Sequence, residues 1–471
     1  MKLRHFLPGL LAFAFTLPAL AAGGDAPAID GRHLGLLWMI PFAGILLSIA
    51  IMPLATPSFW HHHFGKVSAV WAALIVIPFA LIHGLPTAVY EVVHLLLLDY
   101  IPFIVLLTAL FTVTGGIHIK GNLHGSPSMN TALLAIGTVL AGWMGTTGAS
   151  MLLIRPVIRA NDDRRHKIHV FVFFIFLVSN IGGALTPLGD PPLFLGFLKG
   201  VSFFWTTTHL FSEMLVCAIV LLALFYLIDS YWYRKEGRPK PDPTPETPVR
   251  IEGGINIILL AVIVGAVLAS GTWNPGIHFT VFHVTLELQN VLRDLVLVAI
   301  CFLSLRLTSR ASRAANGFSW APMLEVAKLF AGIFITIAPA LAILRAGKDG
   351  ALAPLVALVT APDGQPNDIW YFWLTGILSS FLDNAPTYLV FFNLAGGDPN
   401  VLMGALASTL AAISCGAVFM GANSYIGNAP NFMVKAVVEE AGIRMPSFFG
   451  YMAWSSAILL PLFLLLTLIF F

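Results

Sequence analysis

Apolar stretches follow one another from residue 35 to the C-terminus, and this recurrence constrains the fold more than any other feature of the chain. About twenty apolar residues wound as a helix span the hydrocarbon core of a bilayer. Full spans are predicted over 35–54, 67–84, 98–117, 209–231, 254–271, 289–307, 322–344 and 448–471. Two further stretches, 131–160 and 369–394, read as re-entrant hairpins. Two others, 168–199 and 402–440, read as transmembrane helices interrupted by glycine and proline. Composition removes the alternatives. Only 10% of the 471 residues are Asp, Glu, Lys or Arg, and 58% are hydrophobic. A water-facing surface carries roughly 25% charged residues, so a soluble enzyme, a disordered chain, a collagen and a coiled coil are all excluded. The net charge of +2 excludes a basic nucleic-acid surface. Cys217, Cys301 and Cys415 are too scattered for a disulfide framework or a metal site. The fold class expected is an all-α polytopic membrane protein with lipid around it. Neither enzyme chemistry nor a cofactor is expected.

Residues 1–22 carry Lys2 and Arg4, an apolar run from Phe6 to Leu20, and a small-residue site at Ala19-Leu20-Ala21-Ala22. They read as a signal peptide, or else as a first, short helix. A cleaved leader places the mature N-terminus outside the cytoplasm, in a multi-pass protein of a bacterial inner membrane. The cationic residues support the threading. Lys66, Lys120, Arg155, Arg159, Arg164, Arg165, Lys167, Arg234, Lys235, Arg238, Lys240, Arg310, Arg313 and Arg444 fall in loops on one side. The other side keeps mainly Arg32, Lys199, Arg345 and Lys348, and the richer side is the cytoplasmic one by the positive-inside rule. The Pro-rich stretch 233–250 is the one long polar linker. The division expected is a leader (1–22), N-terminal spans (35–84), a first repeat (98–231), a cytoplasmic linker (232–253) and a second repeat (254–471).

The repeat is visible in two pairs of motifs. Thr186–Phe194 (TPLGDPPLF) aligns with Ser424–Phe432 (SYIGNAPNF) at an offset of 238, from 186 and 424. Gly145–Ser150 (GTTGAS) aligns by position with Phe381–Pro386 (FLDNAP), which sets Thr147 on Asp383 at an offset of 236. Five predicted crossings lie between the two hairpins, and an odd number reverses the second unit. Two inverted-topology repeats, each with a re-entrant hairpin and an interrupted transmembrane helix, are the sequence sign of a secondary transporter.

The polar residues gather where the helices break. Gly182 and Gly183 interrupt one helix, and Asp190 precedes Pro191. Asn428 stands two residues before Pro430, and Asp383 and Asn384 stand just before Pro386. Such breaks are tolerated in a membrane only where protein or water satisfies the freed backbone groups. The four breaks are expected to converge and present Thr146, Thr147, Asn180, Thr186, Asp190, Asp383, Asn384, Ser424 and Asn428 to a small ion or carboxylate. Asp190, Asn384 and Asn428 could instead cap half-helices. An aspartate deep in a membrane segment costs about 2.5–3.5 kcal/mol on insertion scales and marks an ion path, which favours function for Asp190 and Asp383. Both are candidate sodium ligands, with oxygen donors beside them suited to a hard cation. Weaker candidates are the run His61-His62-His63, expected in a solvated loop, and Glu91, His94 and Asp99, expected at the membrane interface. Glu213, beyond Thr206-Thr207-Thr208-His209, could play a secondary part in proton movement.

These motifs resemble the ion transporter superfamily, which includes NhaD-type sodium/proton antiporters, arsenite carriers, citrate carriers and divalent-anion/sodium symporters. Asn180–Asp190 (NIGGALTPLGD) is most similar to the NhaD type, and Ser379–Phe392 (SSFLDNAPTYLVFF) resembles the second hairpin of that group. The chain also resembles a subgroup labelled citrate transporters. The resemblance covers about residues 98–471 and implies two inverted repeats, a homodimer, and sodium ions and protons as transported species. NhaD-type proteins carry an Asp-Asn pair at the first hairpin tip, where this chain reads Thr146-Thr147-Gly148. The acidic site is therefore kept only at Asp190 and in the second hairpin. No Lys or Arg falls at the four breaks, and two aspartates there would repel a tricarboxylate. Cation/proton antiport is favoured over sodium- or proton-coupled uptake of citrate or a dicarboxylate. A channel or a sensor is disfavoured by the repeat.

Overall fold

The computed structural model describes residues 29–121, 123–237, 248–362 and 364–471. The predicted leader lies outside these residues, as does 238–247 of the linker. Eight helices among them are long and apolar enough to cross a membrane: α1 (Leu36–Ala55), α2 (Pro57–His83), α3 (Leu85–Thr114), α8 (Trp205–Lys235), α9 (Ile255–Thr272), α10 (Leu288–Leu307), α12 (Ala321–Arg345) and α19 (Phe448–Phe470). Each contains one predicted span or most of it. The chain is an all-α polytopic membrane protein, and its only strands among the described residues form two short ribbons.

Shorter helices fill the predicted hairpins and interrupted spans. Helices α4 (Pro127–Met144) and α5 (Thr146–Ala160) meet at Gly145. Gly145 has φ +83°, a backbone state that suits glycine. Helix α6 (Ile168–Leu177) gives way to a 3₁₀ turn (Ile181–Ala184) before α7 (Pro191–Leu198). In the second half, α14 (Asp368–Phe381) is followed by α15 (Asn384–Leu394), and α17 (Ala407–Met420) by a 3₁₀ turn (Gly421–Asn423) and α18 (Ala429–Glu440). Short α11 (Arg310–Ala315), α13 (Ala353–Leu358) and α16 (Pro399–Met403) connect the rest. Prolines within the first turn start α7, α15 and α18, where a missing N–H costs nothing.

The half-helices cross-pack. Helix α7 lies on α15, the second arm of the other hairpin, and α18 lies on α5. Helices α14 and α17 pack along each other, and α8 packs on α4 and on the first 3₁₀ turn. Outside this group, α12 lies against α2, and α9 and α10 against α3.

Several cationic residues of the predicted cytoplasmic loops are tied together at one end. Strand β1 (His118–Lys120) pairs antiparallel with β2 (Arg250–Glu252), and Lys120 Nζ sits 2.6 Å from Glu252 Oε1. Bonds from Lys120 and His118 hold the half-buried Glu252 carboxyl below the usual carboxylate range. Arg159 donates to the Ile119 carbonyl at 2.7 Å, and Arg155 to the Asn316 carbonyl at 2.8 Å. Arg164, 3% exposed, reaches Asp229 at 2.7 Å, Glu236 at 2.9 Å and the Gly125 carbonyl at 2.8 Å. His169 and Asn130 complete the shell around Asp229. The second ribbon, β3 (His278–Val281) with β4 (Val284–Glu287), joins α9 to α10.

One minor expectation changes. His61, His62 and His63 lie within α2 and not in a loop; His62 and His63 bond the carbonyls one turn back, as helical side chains do. Asp99 is buried within the protein, in a π-helical turn (Leu96–Tyr100), held by Lys199 at 2.6 and 2.8 Å. No group of three or more metal-ligating side chains occurs among the described residues.

Candidate functional site

Four helices begin at one place. Thr146 is the first residue of α5 and Asn384 the first of α15; Asp190 and Asn428 stand immediately before α7 and α18. The Asp190 carboxylate joins them. Its Oδ1 accepts from Thr146 Oγ1 at 2.8 Å and from Asn428 Nδ2 at 3.0 Å, and its Oδ2 accepts from Asn384 Nδ2 at 2.5 Å. All four side chains are at most 2% exposed. The backbone adds a link, from Thr146 N–H to the Gly189 carbonyl at 2.8 Å.

Capping does not account for this carboxylate. Asp190 has the extended backbone of an N-cap, yet its side chain makes no cap bond, and the same is true of Asn428. Asp383 differs: its carboxylate accepts from the Ala385 N–H at 3.0 Å and caps α15. Of two aspartates with the same local setting, one is spent on its own helix and the other is held by neighbours from three other breaks. Helix N-termini carry partial positive charge, roughly half an elementary charge each. Four of them, with three neutral donors, surround this carboxylate in a place without Lys or Arg.

Behind this centre runs a chain of amides. Asn428 Nδ2 also reaches the Ser179 carbonyl at 3.1 Å and Asn180 Oδ1 at 3.3 Å. Asn180 Nδ2 donates to the Ile175 carbonyl at 2.8 Å and to Asn431 Oδ1 at 2.7 Å. Asn431 Nδ2 donates to the carbonyls of Gly421 and Ser424 at 2.8 and 2.9 Å. These side chains satisfy carbonyls that the breaks leave without helical partners. Asn431 was not among the expected site residues. A signal for it existed, since it replaces Leu193 in the motif alignment and puts an amide at an otherwise apolar position.

Thr186 and Ser424 serve the breaks themselves. Thr186 Oγ1 donates to the Gly142 carbonyl at 2.5 Å and accepts from Leu188 N–H at 3.1 Å. Ser424 Oγ donates to the Ser380 carbonyl and accepts from Ile426 N–H at 3.2 Å. Each partner lies 238 residues from its counterpart: 142 and 380, 186 and 424, 188 and 426. The helix starts agree, with 146 and 384, and 190 and 428. The hairpin tips therefore share the offset of 238 and not 236, so Thr146 corresponds to Asn384. A side chain on Gly189 would collide with the Gly183 carbonyl, and one on Gly427 with that of Gly421, again 238 residues apart.

Thr147 makes no bond to this centre but lines a cavity of about 90 Å³ with Thr146, Asp190, Met144, Phe194, Met323 and Met433. A second, open groove of about 790 Å³ is lined by Tyr425, Lys435, Glu439, Arg444, Ser447 and apolar neighbours.

Residues 31–471 match the family described as "Putative citrate transport". The chain is also 25% identical over 325 residues to proteins of Mycobacterium bovis and Mycobacterium tuberculosis, each named an uncharacterized transporter. That similarity covers 68% of this chain and 71% of each relative. The family match takes in both hairpins, both interrupted helices and every residue around Asp190, so the chain belongs to this family of membrane transporters.

Proposed function

We propose that this protein is a secondary active transporter in which Asp190 binds a small cation and a proton in turn, so that it exchanges sodium for protons across a bacterial inner membrane. The observation that carries this reading is the placement of Asp190. Donors from three other breaks are already given to the protein's own carboxylate, so a substrate carboxylate would have to displace it. Sodium, by contrast, gains an anionic oxygen, with the Thr146 hydroxyl, backbone carbonyls and, after rotation of the amides, Asn384 and Asn428 oxygens beside it. The cavity size agrees. A volume near 90 Å³ takes an ion with a few waters, and is smaller than the roughly 150 Å³ cavity that receives benzene. The two units would be inverted in the membrane and alternate access to the site between its two sides, as a homodimer with the N-terminus outside and without chemistry on the cargo.

A second reading keeps the cation site but makes it the coupling site for a citrate or dicarboxylate carrier. The family description favours it, and so does the open groove, where Lys435 and Arg444 stand against one Glu439. Purified protein in liposomes loaded with a pH dye separates the two. The antiport reading expects proton movement on adding sodium or lithium, with none on adding citrate, and loss of the sodium response in Asp190→Asn. Citrate uptake driven by a sodium gradient, without sodium/proton exchange, would overturn it in favour of the second.

A further inference from the structure

Four carboxylates are buried among the described residues: Asp99, Asp190, Glu213 and Asp229. Lys199 holds Asp99, Arg164 and His169 hold Asp229, and three donors hold Asp190. Glu213 has none of this. It lies on α8, 7% exposed, and its Oε2 has no hydrogen-bond partner. An ionised carboxylate cannot be kept in an apolar interior without partners, and such a group resolves the conflict by taking a proton. An intramembrane acid of this kind marks an ion or proton path by default.

Its surroundings fit that role. The imidazole of His209 stands one turn earlier on the same helix, and residues four apart share a face. His209 is exposed, stacked on Trp205, with Nδ1 at 3.0 Å from the Trp205 carbonyl and 2.9 Å from Thr208 Oγ1. This leaves Nε2 to exchange with water. Around Glu213 the titratable neighbours are His209 and Cys217 on α8 and Cys415 on α17. Helix α4 and the 3₁₀ turn at Ile181–Ala184 have no titratable side chain. Helix α6 has only His169, which belongs to Asp229 sixteen residues further along α8, and α19 has only Tyr451, whose hydroxyl goes to the Ala422 carbonyl. Among the described residues no Lys or Arg is therefore placed to keep Glu213 charged.

The helix that carries Glu213 also touches the break. Thr207 Oγ1 donates to the Leu185 carbonyl at 2.6 Å and Thr206 Oγ1 at 3.3 Å, between the 3₁₀ turn and Asp190. We infer that Glu213 is a second proton-binding site of this carrier, loaded through His209 and set beside the first helix break. This deepens the proposed exchange and rests on it for its transport consequence. In the step, an N–H proton of the His209 imidazolium passes to a Glu213 carboxylate oxygen, leaving a neutral imidazole and a neutral acid.

The test uses the full-length protein in lipid nanodiscs and infrared spectroscopy of the protonated carboxyl C=O stretch, with proton/deuteron exchange. At neutral pH the wild type should show this band, Asp190→Asn should keep it, and Glu213→Gln should lose it while its thermal midpoint holds. In liposomes, Glu213→Gln should lose the wild-type pH dependence of sodium-driven proton movement, and Glu213→Asp should restore a pH dependence. A band unchanged in Glu213→Gln overturns the inference, because Glu213 then holds no proton, and so does an unchanged pH profile, because a merely structural acid would leave the profile in place. If the wild type exchanges no sodium for protons, the function proposed above fails, and the infrared band still decides whether Glu213 holds a proton.

Discussion

Asp190→Asn separates binding from folding. The substitution removes one charge and keeps the shape. An amide oxygen can still accept from Thr146 and Asn428, which now share Oδ1. The third donor, Asn384 Nδ2, would face an NH₂ group unless its own amide turns over. Its one hydrogen-bond acceptor is Asp190, so that rotation breaks nothing else. A hydrogen bond to an ion contributes about 1.5–3 kcal/mol and one between neutral groups about 0.5–1.5 kcal/mol. The weakening over three bonds is offset because an ion no longer has to be buried. The thermal midpoint should therefore stay within about 4 °C of wild type. Cation binding has no such compensation. A unit charge at 4 Å, through an effective dielectric of 20, contributes about 4 kcal/mol, or about a thousandfold in affinity. The assay is thermal unfolding of the purified protein across a sodium titration, paired with sodium-driven proton movement in liposomes. Sodium stabilisation should vanish in Asp190→Asn while the sodium-free midpoint holds. Asp190→Ala should be less stable, since each orphaned donor costs about 1–3 kcal/mol. A folded Asp190→Asn that binds sodium as the wild type does would refute the reasoning.

Asp383→Asn should behave differently, because Asn and Asp cap about equally well: sodium-dependent stabilisation should survive, and its loss would restore Asp383 as a direct cation ligand. Arg164→Met should lower stability by about 3–5 kcal/mol, since it strands Asp229 and Glu236, and Arg164→Lys should recover only part, because an ammonium cannot reach three acceptors in the guanidinium plane; unchanged thermal unfolding in either variant would show that this cluster is idle. In a background lacking the native cysteines, Lys240→Cys should resist an impermeant thiol reagent in intact cells and Lys348→Cys should react, and the reverse pattern would invert the threading.

The parts of this protein governed by local chemistry were legible in its sequence. Span length follows from apolar run length, so all eight long helices fall where the runs predict them. Breaks follow from backbone chemistry, so Gly182, Gly183, Pro191 and Pro430 mark where α7 and α18 must begin anew. The motif pair around Asp190 and Asn428 carried the offset of 238 unaided. The hairpin tips did not, because matching polar residue to polar residue set Thr147 on Asp383, whereas the helix starts set Thr146 on Asn384. Nor could the sequence rank its two aspartates. Asp190 and Asp383 both stand at a break, just ahead of a proline, and local pattern treats them alike. Only the crossing of α7 over α15 and of α18 over α5 brings Asn384 and Asn428 to Asp190 and leaves Asp383 to its own helix end. The same holds for Lys199 on Asp99, for Arg164 on Asp229, and for the Glu213 Oε2 left without a partner. The physical reason is that whether a buried charge is paired depends on contacts between residues far apart in the chain, which the packing of the helices creates.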